Sequence, residues 1–305
     1  MSYNLKENVM KEDRLSGGHR MCAGCGSPIA VRTVLRALEP EDHAVVCSAT
    51  SCLEVSTFMY PYTAWKDSFI HNAFENAAAT ISGVETAYRA MKKRGKLDET
   101  WKFIAFGGDG GTYDIGFQSL SGAMERGHDM VYVCYDNEAY MNTGVQKSGL
   151  TPYGMKTTNT PSGKNFHGSQ SSKKRMFEIV AAHGIPYAAT ASLGYPEDFM
   201  AKVEKAMNTD GTSYIHVMAP CPTGWGTPTD VTIDIGKEAV DCGLWYLAEY
   251  ENGKFKINRD PKEFTSVEDY LKKQSRFANF DAHDFERVIA ERDATWNRIR
   301  NDWNK

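Results

Sequence analysis

The chain has 305 residues, of which 41% are hydrophobic and 24% charged, and its formal net charge is -4. That length can bury a substantial core and suggests about two domains, while the slightly acidic balance offers nothing to attract nucleic acid. No apolar run approaches a membrane span and residues 1–14 lack the apolar centre of a signal peptide, so a cytoplasmic protein with no membrane contact is expected.

Seven cysteines in an unexported chain argue for metal or redox ligands plus buried thiols rather than disulfides. Residues 1–20 are polar and charged and read as an arm or partner contact. Cys22-Ala23-Gly24-Cys25-Gly26 follows, and residues 29–38 continue with a helical pattern. Two thiolates at this spacing can grip one metal atom or one cluster, and a zinc knuckle stays open. A thioredoxin-like redox pair would want a strand directly before it, where this chain has the charged arm. Residues 43–47 read as a strand ending in the polar loop Ser48-Ala49-Thr50-Ser51-Cys52. Cys47 then falls inside the strand and Cys52 at its edge, which makes Cys52 the better ligand. Asn72, Phe74 and Glu75 open a helical stretch with Ala77, Ile81, Val84, Tyr88 and Met91 on one apolar face.

Residues 102–146 carry the strongest signal. A strand at 103–106 runs into Gly107-Gly108-Asp109-Gly110-Gly111, a helix follows, and the apolar run 130–135 suits a buried parallel strand. A right-handed crossover places both strand ends at one sheet edge, so Asp109 and Asp136-Asn137-Glu138 should face a common crevice. A carboxylate, a neutral amide and a backbone carbonyl make a hard oxygen site, better suited to Mg²⁺ shared with phosphates than to zinc or copper. The competing reading is a glycine-rich turn with a solvated acid. Asn137, 28 residues after Asp109 at the end of a second strand, weighs against it.

Residues 140–175 are poor in apolar side chains and read as a long loop covering a site or meeting a partner. Lys156, Lys164, Lys173 and Lys174 within it could meet a ligand's phosphates or form a solvated basic loop. A helix at 176–183, a strand at 187–190, a helix at 196–207 and a strand at 213–219 complete a doubly wound, mostly parallel α/β sheet of at least five strands. Pro220-Cys221-Pro222 stops the last strand and presents its thiol at the same crevice. Cys134 and Cys242 fall in apolar runs and read as core thiols. Residues 21–226 thus form the α/β domain. Residues 227–305 read as a helical C-terminal extension on that domain or a partner, with helices at 232–250, 264–277 and 283–303 and a short strand at 253–258.

These motifs together resemble the thiamine diphosphate and iron–sulfur (β) subunit of the 2-oxoacid:ferredoxin oxidoreductases, nearest to pyruvate:ferredoxin oxidoreductase. The matching stretches are CAGCG at 22–26, ATSC at 49–52, FENAA at 74–78, GGDGGTYDIGFQSL at 107–120, DNEAYMNTG at 136–144 and APC at 219–221. The resemblance implies a thiamine diphosphate-type fold, with Mg²⁺ held by Asp109, Asn137 and the carbonyl of Ala139. Gly108, Gly110, Phe74 and Thr143 would line the cofactor, and Asn142 would contact substrate. It assigns one 4Fe-4S cluster to Cys22, Cys25, Cys52 and Cys221. The implied reaction is decarboxylation of a 2-oxoacid, with pyruvate preferred, passing an acyl group to coenzyme A and electrons to ferredoxin. Other subunits, one binding the aminopyrimidine and substrate and one ferredoxin-like, would complete it, so the glutamate that activates the ring is not assigned to Glu75. The same chemistry on 2-oxoglutarate, a branched-chain or aryl 2-oxoacid or oxalate stays open. So do a non-redox thiamine decarboxylase component with structural zinc and a zinc-bearing interaction protein.

Overall fold

The computed structural model describes residues 5–164 and 166–303. The first four residues of the expected arm and the last two of the extension lie outside them. Eight strands form one sheet: β1 His43–Ser48, β2 Ser68–His71, β3 Trp101–Gly108, β4 Met130–Asp136, β5 Tyr187–Ser192, β6 Thr212–Met218, β7 Ala248–Glu251 and β8 Lys254–Ile257. Their order across the sheet is β8-β7-β5-β6-β4-β3-β1-β2. The six strands from β5 to β2 are parallel, and β7 and β8 add an antiparallel edge. Every residue of β4, β5 and β6 is buried, as expected where helices cover both faces of parallel strands.

One face is covered by α1 Gly26–Leu35 and α6 Pro196–Met207, whose Val31, Val34 and Phe199 pack against Phe106, Val133 and Ile215. The opposite face carries α3 Ala77–Lys93, α4 Phe117–Glu125, α5 Met176–Ala181 and α9 Ala282–Asp302, with Ile81, Leu120, Phe177, Trp296 and Ile299 in one cluster. A third cluster, Trp225, Trp245, Tyr270 and Phe277 among its members, forms around α7 Thr232–Asp241 and α8 Val267–Lys272.

Three expectations need correction. The stretch 232–250 is not one helix: it ends at Asp241, Gly243 takes a φ of +78°, and residues 248–251 leave as β7. The glycine adopts the left-handed conformation that closes a helix, and alternating burial along β7 replaces the helical period. On α3 the buried face is Ala77, Ala78, Ile81, Ser82 and Glu85, while Met91 is 41% exposed. Glu85 is buried because it pairs with Arg89 at 2.7 Å and His128 at 2.8 Å, which a count of apolar residues cannot register. Asn72, Phe74 and Glu75 precede α3, which starts at Ala77, and β2 was not legible at all in so short and half-exposed a stretch.

Residues 140–175 are irregular apart from a two-residue ribbon, Ser162–Gly163 against Phe166–His167. Leu150, Tyr153 and Met155 nevertheless sit in the interior, and the buried Ser148, Thr151 and Thr157 are hydrogen-bonded. The loop is anchored by polar satisfaction rather than by apolar area.

The extension belongs to the core by contact. Trp296 is 2% exposed, its indole N–H donates to Gly243 O at 2.8 Å, and Arg300 stacks over its ring. Trp296→Ala is expected to destabilise folding by about 3–5 kcal/mol, the usual range for emptying a buried aromatic position. A urea titration would show the lowered midpoint, and an unchanged one would mean that α9 packs independently of the sheet.

Candidate functional site

Because β6, β4, β3 and β1 are neighbouring parallel strands, their carboxyl ends share one rim. Register pairs Asp136 with Met218, Gly108 with Tyr135 and Ser48 with Phe106. The residues just beyond are Cys221, Asn137, Asp109 and Cys52 respectively. One cleft is lined by Cys52, Phe74, Gly108, Asp109, Gly110, Asn137, Ala139, Asn142 and Thr143 together with Tyr135, Tyr140 and Met141. The expected oxygen ligands and one of the expected thiols therefore meet in a single place.

Asp109 is 1% exposed and accepts a hydrogen bond from the Ser148 hydroxyl. Burial first, and then the neighbouring Asp136 charge, push its carboxyl well above the usual range. The cations of this rim go elsewhere. Lys173 lies 3.7 Å from Asp136 and pairs with Glu138, and Arg276 lies 2.5 Å from Glu138, while His216, whose imidazole burial pushes below its ordinary value, is a hydrogen-bond partner 3.1 Å from Asp136. Burial works to raise the Asp136 carboxyl, but Lys173 and His216 together hold it below its ordinary value. Among the described residues no ion pair reaches Asp109, which leaves one carboxylate of three without a charge partner.

One arm of the Asn137 carboxamide stands 2.8 Å from Ala139 O and 3.1 Å from Asp109 Oδ1. With nitrogen on that arm the amide donates to both. With oxygen there, three oxygens face one another at the spacing of adjacent ligands around Mg²⁺, since bonds of about 2.0–2.1 Å at right angles put neighbouring oxygens roughly 2.9 Å apart. The donor set fits a small hard cation, and the unpaired Asp109 charge favours one. Glu138, between the two ligand candidates, holds a φ of +70°, and Thr151 Oγ1 donates to its carbonyl at 2.7 Å. A non-glycine residue in that region stays there only when its surroundings hold it.

The tip over the cleft is a tight loop. Tyr140 N donates to Gln146 O at 2.9 Å and Gln146 N to Tyr140 O at 3.2 Å, leaving Asn142 and Thr143 exposed between them. The Tyr140 ring meets Phe74 edge-on at 5.9 Å and its hydroxyl donates to Gly110 O at 3.0 Å. A Cβ at Gly110 would fall 2.3 Å from the Tyr140 ring, so glycine is needed there for the ring to seat.

Cys22, Cys25, Cys52 and Cys221 are all free and lie close enough to perturb one another electrostatically, whereas Cys47, Cys134 and Cys242 are buried. The Cys22–Cys25 turn is fastened to the end of β6: Gly26 N donates to Pro220 O at 3.1 Å, and a Cβ on Gly26 would come 2.8 Å from the Ala219 backbone. Gly224 N donates to Cys221 Sγ at 3.3 Å. Burial, with the other thiols of the group adding to it, raises Cys25 to about 11 and Cys52 to about 12, so metal binding there must displace protons. Among the described residues only His167, Asp281 and Asp284 bring three ligand atoms within 4.8 Å of one another. A hydrogen-bonded cap explains that trio, because Asp281 and Asp284 form the capping box of α9, and Asp284 also takes the Tyr153 hydroxyl and His167.

Several participants were missed from sequence. Ser148 and Tyr140 lie in or near the motifs but have generic residue types. Trp225, whose indole N–H donates to Asn137 O at 2.9 Å, and Arg276 lie far away in the chain. Of the loop lysines, Lys173 and Lys174 are engaged with Glu138 and Asp114, while Lys156 and Lys164 are exposed.

Residues 21–217 match the family described as thiamine pyrophosphate enzyme, C-terminal TPP binding domain. Pyruvate synthase subunit PorB of Thermotoga maritima is 54% identical over 284 residues, covering 91% of this chain and 88% of that protein. Ketoisovalerate oxidoreductase subunit VorB of Pyrococcus furiosus is 44% identical, covering 97% and 96%. Among solved structures, a 2-oxoglutarate:ferredoxin oxidoreductase from Magnetococcus marinus, with 2-oxoglutarate, coenzyme A and succinyl-CoA bound, superposes with a TM-score of 0.58 over 91% of this chain and 94% of that one. At 17% identity that likeness concerns the fold.

The packed turn can be tested without any cofactor. Gly110→Ala forces the Tyr140 ring aside and should cost about 1–3 kcal/mol, as overpacking does. Gly83→Ala, in open space on α3, should stabilise by about 0.5–1 kcal/mol. Paired denaturant titrations giving the same sign for both would refute the packing described.

Proposed function

Since the chain belongs to the thiamine diphosphate-binding β subunits of the 2-oxoacid:ferredoxin oxidoreductases, the PorB and VorB family, we propose that it anchors thiamine diphosphate through Mg²⁺ on Asp109, Asn137 and the Ala139 carbonyl and carries a 4Fe-4S cluster on Cys22, Cys25, Cys52 and Cys221. The proposed reaction is coenzyme A-dependent oxidative decarboxylation of a 2-oxoacid, with ferredoxin receiving the electrons and partner subunits completing the site. Pyruvate is the preferred substrate, because PorB relatives are 49–54% identical and VorB relatives 44–45%. The observation that carries this reading is the convergence of three oxygen ligands and four free thiols on one sheet rim.

When bound, thiamine diphosphate supplies the carbanion chemistry that releases CO₂ from a 2-oxoacid, and an adjacent cluster accepts electrons one at a time. The chain's own groups set the stage. Asp109 offers an uncompensated charge to the metal, and Asn137 and Ala139 complete a rigid face of oxygen donors. Phe74 and Tyr140 line the cleft with apolar rings that keep water from the reacting centre. Asn142 and Thr143, on the exposed loop tip, offer hydrogen bonds to the substrate's carboxylate or keto oxygen. The Gly224 N–H on Cys221 Sγ suits a cluster, whose sulfurs accept backbone hydrogen bonds.

The complex purified anaerobically with its partner subunits should contain Mg²⁺ and thiamine diphosphate. Cys22→Ser, Cys25→Ser, Cys52→Ser or Cys221→Ser should each remove up to about four irons per copy of this chain, while Cys242→Ala should remove none. Asp109→Ala should weaken thiamine diphosphate binding by more than about 100-fold at fixed Mg²⁺. Among 2-oxoacids, pyruvate should give the highest kcat/KM. Zinc in place of iron, or iron retained in all four serine variants, would sink the cluster assignment.

A further inference from the structure

Behind the proposed metal loop lies a buried ionic group with no part in holding a cofactor directly. Arg276 is 4% exposed and comes from the 3-10 turn Ser275–Phe277, some 139 positions beyond Asn137. Its Nη1 lies 2.5 Å from Glu138 Oε2, an ion pair without the alignment of a hydrogen bond. Its Nε and Nη2 donate to Gln274 Oε1 at 2.9 and 2.7 Å, which fixes the plane of the guanidinium. That plane stacks on Trp225, 3.7 Å from the ring centroid. Trp225 in turn donates its indole N–H to Asn137 O and stands four residues after Cys221. Arg276 also counts among the charges that act on the Cys221 thiol, where it opposes the effect of burial.

The guanidinium therefore touches the two places that matter. Through Glu138 it holds the left-handed residue between the ligand candidates Asn137 and Ala139. Through Trp225 it holds the Asn137 peptide and the short helix Pro222–Trp225 that Cys221 caps. Lys173, the second cation on Glu138, comes from the 140–175 loop and has a side chain 26% exposed, so it is the less rigid of the two. Only Arg276 is both fully enclosed and planar enough to stack and pair at once.

We propose that Arg276 is a positioning residue that locks the Asn137–Ala139 loop to the Cys221 segment, and that its buried charge sets the reduction potential of the group those cysteines hold. The claim rests on the cofactor sites proposed above. It adds that metal-loop geometry and electron transfer are joined through one side chain supplied by the C-terminal extension. A fixed positive charge favours the more negatively charged, reduced state of a nearby cluster, so its loss lowers the potential.

The test uses the complete complex, with iron content and thiamine diphosphate affinity of the unaltered protein measured first, so that failure of the cofactor assignments is seen before any variant is read. In Arg276→Gln, thiamine diphosphate affinity measured by calorimetry should fall at least about tenfold. The cluster potential from a redox titration should move down by about 59 mV, a tenfold change for a one-electron couple. Arg276→Lys keeps the charge but loses the stacked, forked contacts, so it should retain the potential while losing affinity. Glu138→Gln should lose affinity and raise the potential, because it removes the negative charge that offsets Arg276. If Arg276→Gln does not assemble, the Arg276→Lys and Glu138→Gln pair decides by the same split. Affinity within twofold of the parent in Glu138→Gln and either Arg276 variant, or a potential that ignores the charge at 276, overturns the proposal.

Discussion

A buried carboxylate without a cation of its own is the constraint around which this molecule's rim is arranged. Three acids lie here in the interior, Asp109 just after β3, Asp136 at the end of β4 and Glu138 just beyond it, and the neighbouring cations Lys173 and Arg276 are spent on the latter two. Leaving an ionised group in a dry interior costs several kcal/mol, so Asp109 must either take up a proton or be answered by a bound cation. Burial pushes the Asp109 carboxyl up, the direction of the first outcome, and the proposed three-oxygen face with Asn137 and Ala139 would provide for the second. On the proposed reading, fold and cofactor chemistry would be connected at this residue, since the same burial that makes the charge expensive makes a metal ion welcome.

The parallel sheet explains how distant cysteines can serve one group. Strands β6, β4, β3 and β1 lie side by side, so the residues that leave their carboxyl ends line up along a single edge. Cys52 and Cys221 arrive in this way, while Cys22 and Cys25 are carried in by a turn fastened to Pro220. Small residues make that fastening possible. Gly24 takes a φ of +69° against the Thr229 backbone, and Gly26 packs where a methyl group would collide with Ala219. The glycines of the CAGCG stretch thus serve contact between segments as well as the conformation of the turn.

The C-terminal quarter is a buttress rather than an appendage. It adds β7 and β8 to the sheet edge, fills one face with Trp296, Ile299 and Trp303, and sends Arg276 to the back of the loop that follows β4. Residues 140–175 work in the same direction by other means. They have little apolar area to bury, yet Ser148 and Thr151 bond to Asp109 and the Glu138 carbonyl, so their order is tied to the site they cover.

Much of the site was legible in the sequence because its chemistry is local. Glycine before and after Asp109, a strand followed by Asn137 at a set distance, and prolines flanking Cys221 each express a geometric need within a few residues, so the pattern survives without the fold. Buried parallel strands were equally readable, as their runs are apolar throughout. Other features depended on partners far along the chain. Glu85 is buried on α3 because His128 waits for it, residues 248–251 form a strand because the edge of β5 was free, and Arg276 pairs with Glu138 only after the extension has wrapped around the sheet. The sequence by itself therefore determined that a doubly wound sheet would form and which candidate residues it would bring to one edge. Tertiary structure alone decided which buried charges are paired and which is left over, because a charge balance in a low-dielectric interior is a property of space and not of spacing along the chain.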